Sequence, residues 1–304
     1  MRPFCAGRSV LMRGLPGRQC IIAQSVCPPR DALHPTGTES ARAPRMLADI
    51  KETWRYRELI VALAMREVRV RYKHALLGIG WAVIMPLALM LVFTEIFSRV
   101  ADISTGGIAY PLFAYTGLLV WQLHANIIQG ASRCLSDNSN LVTKVYFPRQ
   151  VLPASVVLSA LVDFGVAALL LAGLMALHRV TPGWPMALVP LVLALQLCLA
   201  SGLALFVSAA NLFYRDVQFI LQVGVQLWMF ASSVLYPLPS QGVFAWVNLL
   251  NPMTPLLDAW RYALLGAPAP RPESLAAAAG LSLLTLVSGW AWFRRAEARF
   301  GELA

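Results

Sequence analysis

From residue 78 onward the chain is a series of long apolar runs separated by short polar breaks. The runs fall at about Gly78–Ser98, Tyr110–Ile128, Val151–Leu177, Trp184–Ala210, Phe219–Leu235 and Leu275–Phe293. Each is near the ~20 residues that carry a helix across the hydrocarbon. Pro86 lies inside the first run, which lipid tolerates when neighbouring helices satisfy the freed carbonyl. Residues Met46 to Lys73 have a different rhythm. Leu47, Ile50, Trp54, Val61, Met65, Val68 and Tyr72 recur at helical steps, interrupted at Arg57, beside a basic polar face. That pattern predicts an amphipathic helix in the membrane interface; an ordinary helix packed on a partner would share it.

Two connections do not look like free loops. Residues 133–150, RCLSDNSNLVTKVYFPRQ, embed Leu141, Val142, Val145, Tyr146 and Phe147; a segment that only stays wet has no use for these, so it is predicted to touch protein. Residues 236–272 are rich in large apolar side chains and broken by Pro237, Pro239, Pro252 and Pro255. Two short half-helices that dip back into the membrane fit best, because irregular backbone survives there only against protein or a water-filled cavity.

Composition supports the same class. The chain is 58% hydrophobic and 13% charged, against about 45–50% and 25% in soluble domains, so an all-α, polytopic membrane protein is expected. The net charge of +10 is no nucleic-acid footprint. Half of it comes from residues 1–45, where Arg2, Arg8, Arg13, Arg18, Arg30, Arg42 and Arg45 face only Asp31 and Glu39. That stretch also holds six Pro and lacks the apolar core of a signal peptide. It reads as a disordered extension or as sequence upstream of the true start, with Met46 beginning the protein.

The remaining cations gather at span ends. One face carries Lys51, Arg55, Arg57, Arg66, Arg69, Arg71, Lys73, Arg133, Lys144, Arg149, Arg215, Arg294, Arg295 and Arg299; the other carries Arg99, Arg179, Arg261 and Arg271. Fourteen against four places both termini in the cytoplasm by the positive-inside rule.

Catalytic signatures are missing. There is no GxxxxGK[ST] loop, HExxH, GxSxG or paired CxxC, and the four His are scattered. No metal site and no nucleotide site are expected in this chain. Single acids, Glu95 and Asp163, lie within spans and are functional candidates by default; a structural role for Asp163, one turn from Ser159, is equally open. Sugar faces stack on rings, so Phe93, Tyr115, Trp121, Trp228, Phe230 and Tyr236 are channel candidates with Asp163. The ordinary aromatic belt is the competing explanation for the rings.

Six stretches together resemble the permease subunits of ABC-2 type exporters, in the branch exporting O-antigen, capsule and teichoic-acid polymers. They are REVRVRYKHALLGIGWAVIMPL at 66–87, YPLFAYTGLLVWQ at 110–122, SNLVTKVYFPRQVLP at 139–153, NLFYRDV at 211–217, LNPMTPLLDAWRYALLG at 250–266 and FRRAEARF at 293–300. The resemblance covers residues 46–304 and divides the chain into the extension 1–45, an interface helix 46–77 and a transmembrane domain 78–304. It implies a homodimer of six-span permeases in the bacterial inner membrane, passing a lipid-linked glycan. It also implies separate ATP-binding subunits that hold ATP and Mg. Arg66, Arg69, Arg71, Tyr72 and Lys73 would then end the interface helix. Leu141, Val142, Lys144, Tyr146, Phe147 and Arg149 would form a coupling helix on the ATPase, and 236–272 an outer gate. A permease for a small lipid or drug, a membrane glycosyl- or acyltransferase, and a passive channel are the alternatives.

Overall fold

A computed structural model of the chain describes residues 46–73, 78–99, 107–145, 147–181, 183–237, 250–297 and 299. Among these every regular element is helical. Helices α1 (Met46–Arg55) and α2 (Arg57–Tyr72) precede a 3-10 turn at Gly78–Gly80 and α3 (Trp81–Arg99). Then come α4 (Tyr110–Asp137), the short α5 (Ser139–Lys144) and α6 (Val151–Leu177). A 3-10 turn (Trp184–Leu188) leads into α7 (Val189–Phe213), followed by α8 (Val217–Phe230), α9 (Met253–Leu265) and α10 (Pro272–Glu297).

The helix ends follow local chemistry. Pro111, Pro190 and Pro272 stand in the first turns of α4, α7 and α10, where the missing N–H costs nothing. Gly266 ends α9 in the left-handed conformation (φ 68°), its N–H donating back to Arg261 O, a backbone that a glycine adopts without strain. Pro86 is accommodated inside α3 without ending it.

Three helices are long and apolar enough to cross a membrane by length and composition: α6, the turn-plus-helix Trp184–Phe213, and α10. Trp81–Phe97 and Val217–Phe230 are shorter apolar helices. Two expected boundaries shift. The second run does not stop at Ile128 but continues as helix to Asp137, and the fifth ends at Phe230, giving way to a turn over 231–234. Within 236–272, where two half-helices were expected, the described residues hold the helix α9, and 238–249 lie outside the described residues.

Helix α4 is the centre of the bundle, packing on α3, α6, α7, α8 and α9. Tyr115 Oη donates to Ala167 O of α6 at 3.0 Å, and Tyr110 Oη to Leu235 O beyond α8 at 2.9 Å. The α7–α10 pair is the tightest. A Cβ added at Gly289 would stand 2.1 Å from Gly202 O, and one at Gly202 only 2.4 Å from the Thr285 carbonyl carbon. Small residues let two backbones approach in this way where lipid offers no hydrophobic drive to associate.

The amphipathic stretch is two helices, broken at Tyr56, and α2 packs on α6. Its inward face is Tyr56, Leu59, Ile60, Leu63 and the buried Ala64. Trp54, Val61 and Met65, which the expected stripe placed together, lie on the exposed side. Within α2 the packed face is the neighbouring one, through Leu59, Ile60, Leu63 and Ala64, so the face read from spacing is not the face that packs within the chain.

Candidate functional site

An open groove of about 550 Å³ lies between α2, α3, α4 and α6. Its α4 wall carries Gln122, Asn126, Gln129, Arg133 and Asp137, at steps of one helical turn and therefore on one face. Between Leu112 and Leu135, the only α4 positions that are not buried are Gln122, Asn126, Gln129, Gly130 and Arg133. All five line the groove. The central helix is sealed everywhere except along its amide stripe. Within it, Gln122 Nε2 donates to Asn126 Oδ1 at 3.0 Å.

Opposite stand Trp81, Met85 and Pro86 of α3, and the floor includes Ala160, Asp163 and Ala167 of α6. Asp163 is buried, 5% exposed, about 18 Å along α6 from Val151 at ~1.5 Å per residue. Ser159 is not its partner; that hydroxyl donates to Val156 O. Arg71 Nη1 donates to Asp163 Oδ2, and Tyr72 Oη donates to Oδ1 at 3.0 Å. Arg71 Nη2 also reaches Glu67 Oε1 at 3.4 Å. Farther along, Arg66 Nη1 donates to Asn138 Oδ1 at 3.1 Å. The basic cluster at the end of α2 is therefore in part a set of ties to α4 and α6. Arg69 and Lys73 remain exposed.

The ring candidates are distributed differently. Tyr115 and Trp121 are buried inside the chain and do not border the groove. Trp121 and His124 pack edge-on against Trp228, whose Nε1 donates to Asn251 Oδ1 at 2.9 Å. Phe93, Phe97, Tyr110 and Tyr236 form a second cluster near the start of α4, and Phe230 is exposed. Burial in the protein core accounts for most of these rings. The sequence did carry a signal for the groove: amides at turn spacing within an apolar run, in Gln122, Asn126 and Gln129.

Arg261, expected in an external connection, is instead fully buried in α9. Its guanidinium lies 3.5 Å from the centre of the Phe113 ring, donates to Val234 O at 2.8 Å and pairs with Asp258 at 3.4 Å. Removing it from the loop count makes the charge asymmetry steeper. Asn251 completes this junction. Its Nδ2 donates to Ala231 O and Ser232 Oγ, while its Oδ1 accepts from Trp228 Nε1 and Met253 N. Asn251→Ala is expected to strand these buried groups at about 1–3 kcal/mol, with Asn251→Asp, which keeps the acceptors, intermediate. Thermal unfolding of the purified variants measures the order.

In the expected coupling segment, Val142 and Phe147 are buried in this chain's own core and Leu141 packs against it. Lys144 and Val145 are exposed. Arg149 Nη1 donates to Glu297 O, at the end of α10, at 2.9 Å, where a cation also favours the helix terminus. Tyr146 lies outside the described residues.

Residues 58–265 match the family model for ABC-2 type transporter. The chain belongs to the ABC-2 type transporter family. It is 32% identical over 260 residues to the O-antigen export system permease protein RfbA of Myxococcus xanthus, covering 84% of this chain and 99% of the relative. It is 26% identical to the protein of the same name from Klebsiella pneumoniae, over 81% of this chain and 95% of the relative. It is 25% identical to the polysialic acid transport protein KpsM of Escherichia coli, over 78% and 93%. ABC-2 membership makes the chain a membrane transporter subunit rather than an enzyme, and implies an ATP-binding partner. The family match embraces α2 through α9, and so the whole groove.

Proposed function

We propose that the chain is the permease subunit of an ATP-driven exporter that moves a lipid-linked polysaccharide, such as O-antigen, across the inner membrane. It would act as a six-span homodimer, both termini cytoplasmic, above separate subunits that bind ATP and Mg. The carrying observation is the central helix that is sealed except for a polar, open face. A passage for hydroxyl-rich cargo needs that face, whereas a lipid-bound helix would not present it. The names of the relatives point to the same cargo class. Exposed apolar side chains on α3 (Leu89, Val92, Ile96) and α8 (Phe219, Ile220, Val223, Leu227) suit lipid and a second copy.

The partner's seat is proposed at the exposed turn of α5, Lys144 and Val145. Truncating an interface anchor costs about 2 kcal/mol or more. Lys144→Glu with Val145→Ser is therefore expected to lower recovery of the ATP-binding subunit and export in a permease-null strain, at an unchanged membrane level. Phe147→Ala should act differently, destabilising the chain itself by about 3–5 kcal/mol through loss of core packing. Full subunit recovery and full export with the double variant would move the coupling contact elsewhere.

A further inference from the structure

We infer that the groove is a binding track for uncharged sugar units, and that Gln122, Asn126 and Gln129 select a neutral polymer over a polyanionic one. This rests on the exporter function proposed above and adds the class of cargo. Three observations carry it. An amide side chain offers both donors and an acceptor, which matches a sugar hydroxyl, itself donor and acceptor. Three such amides one turn apart form a ladder, and they make up most of the open face of an otherwise sealed helix. Trp81, 43% exposed on the opposite wall, provides an apolar surface for the C–H face of a sugar, as an amphipathic ring can.

The charge inventory then excludes a polyanion. Among the described lining residues there are three carboxylates (Glu67, Asp137, Asp163) and two guanidiniums (Arg71, Arg133). Arg71 is already engaged by Asp163 and Glu67. That leaves Arg133, with no ion-pair partner among the described residues, as the free cation, on the same stripe as Asp137. A chain bearing one carboxylate per sugar would meet net repulsion along the track, strongest where water is scarce. A polymer of hydroxyls would meet none.

The test uses the full chain with Cys5, Cys20, Cys27, Cys134 and Cys198 changed to Ser, and one new thiol by Asn126→Cys. A charged, water-soluble methanethiosulfonate should label this thiol. Maltoheptaose should slow the labelling several-fold, and an oligosialic acid of equal length should not. In the same background, Gln122→Leu with Gln129→Leu should abolish the protection while leaving the labelling rate. A thiol at Asn140, exposed and outside the groove, should be labelled regardless of either sugar. No labelling at position 126, labelling that the neutral sugar leaves unchanged, or equal protection by the polyanion would each overturn the inference. None of these readouts uses the ATP-binding subunit or export, so failure here is distinct from failure of the exporter function.

Discussion

Arg71→Ala should destabilise the protein more than Asp163→Asn, although both remove the same ion pair. The difference lies in what each leaves behind. Without Arg71, the buried Asp163 carboxylate keeps only the Tyr72 hydroxyl; breaking a buried pair this way costs about 3–5 kcal/mol. With Asp163 neutralised, the Arg71 side chain is still 35% exposed and has Glu67 within 3.4 Å. Water screens such a charge, so the loss should be about 1 kcal/mol or less. Replacing both by Leu removes the uncompensated charge altogether and should recover much of the stability of the parent. Thermal unfolding of the four proteins in one detergent decides the matter. Equal losses from the two single changes would mean that Asp163 is as well solvated as Arg71.

Gly289→Val and Gly202→Val should prevent α7 and α10 from assembling. Each new Cβ meets backbone rather than a side chain, at 2.1 Å and 2.4 Å, so no rotamer change relieves it. Overpacking in a core costs about 1–3 kcal/mol when neighbours can shift, and more when they cannot. Two long helices would have to separate, and little folded protein should reach the membrane. Gly173 is the control, since nothing lies within 4 Å of its added Cβ; Gly173→Ala should keep parental levels. Quantifying folded protein in membranes by size-exclusion fluorescence compares them directly. Normal levels of Gly289→Val would show that the two helices do not need close backbone contact.

The apolar runs reveal lipid-facing helices well and the central helix poorly. For α6 and α10 the apolar length marks the helix to within a few residues, because their surroundings are largely apolar. Helix α4 is truncated at Ile128 by the same criterion, since Gln129, Arg133 and Asp137 answer to the groove and not to hydrocarbon. The family was legible from its motifs, spread over residues 66–300. The Arg71–Asp163 tie was not, since its members are 92 positions apart and each has a sufficient local explanation. The same holds for Phe147 and Val142, whose apolarity suits a partner surface and an internal core equally; only packing distinguishes the two. For α2, apolar residues lie on two adjacent faces, and spacing alone did not say that Leu59, Ile60, Leu63 and Ala64 pack within the chain while Val61 and Met65 stay exposed.

The enclosure of α4 has a mechanical corollary. Five helices clamp it on every side but one, so it is the stator of the bundle, and displacing it would disturb nearly the whole core at once. The opposing wall is held in two ways: α3 packs directly on α4, while α2 packs Leu59, Ile60, Leu63 and Ala64 beside α6. Helix α2 adds the Arg71, Tyr72 and Arg66 side-chain ties at its far end. Of these fastenings only the side-chain ties can open without unpacking apolar surface, which makes the Arg66, Arg71 and Tyr72 end of α2 the catch of the groove.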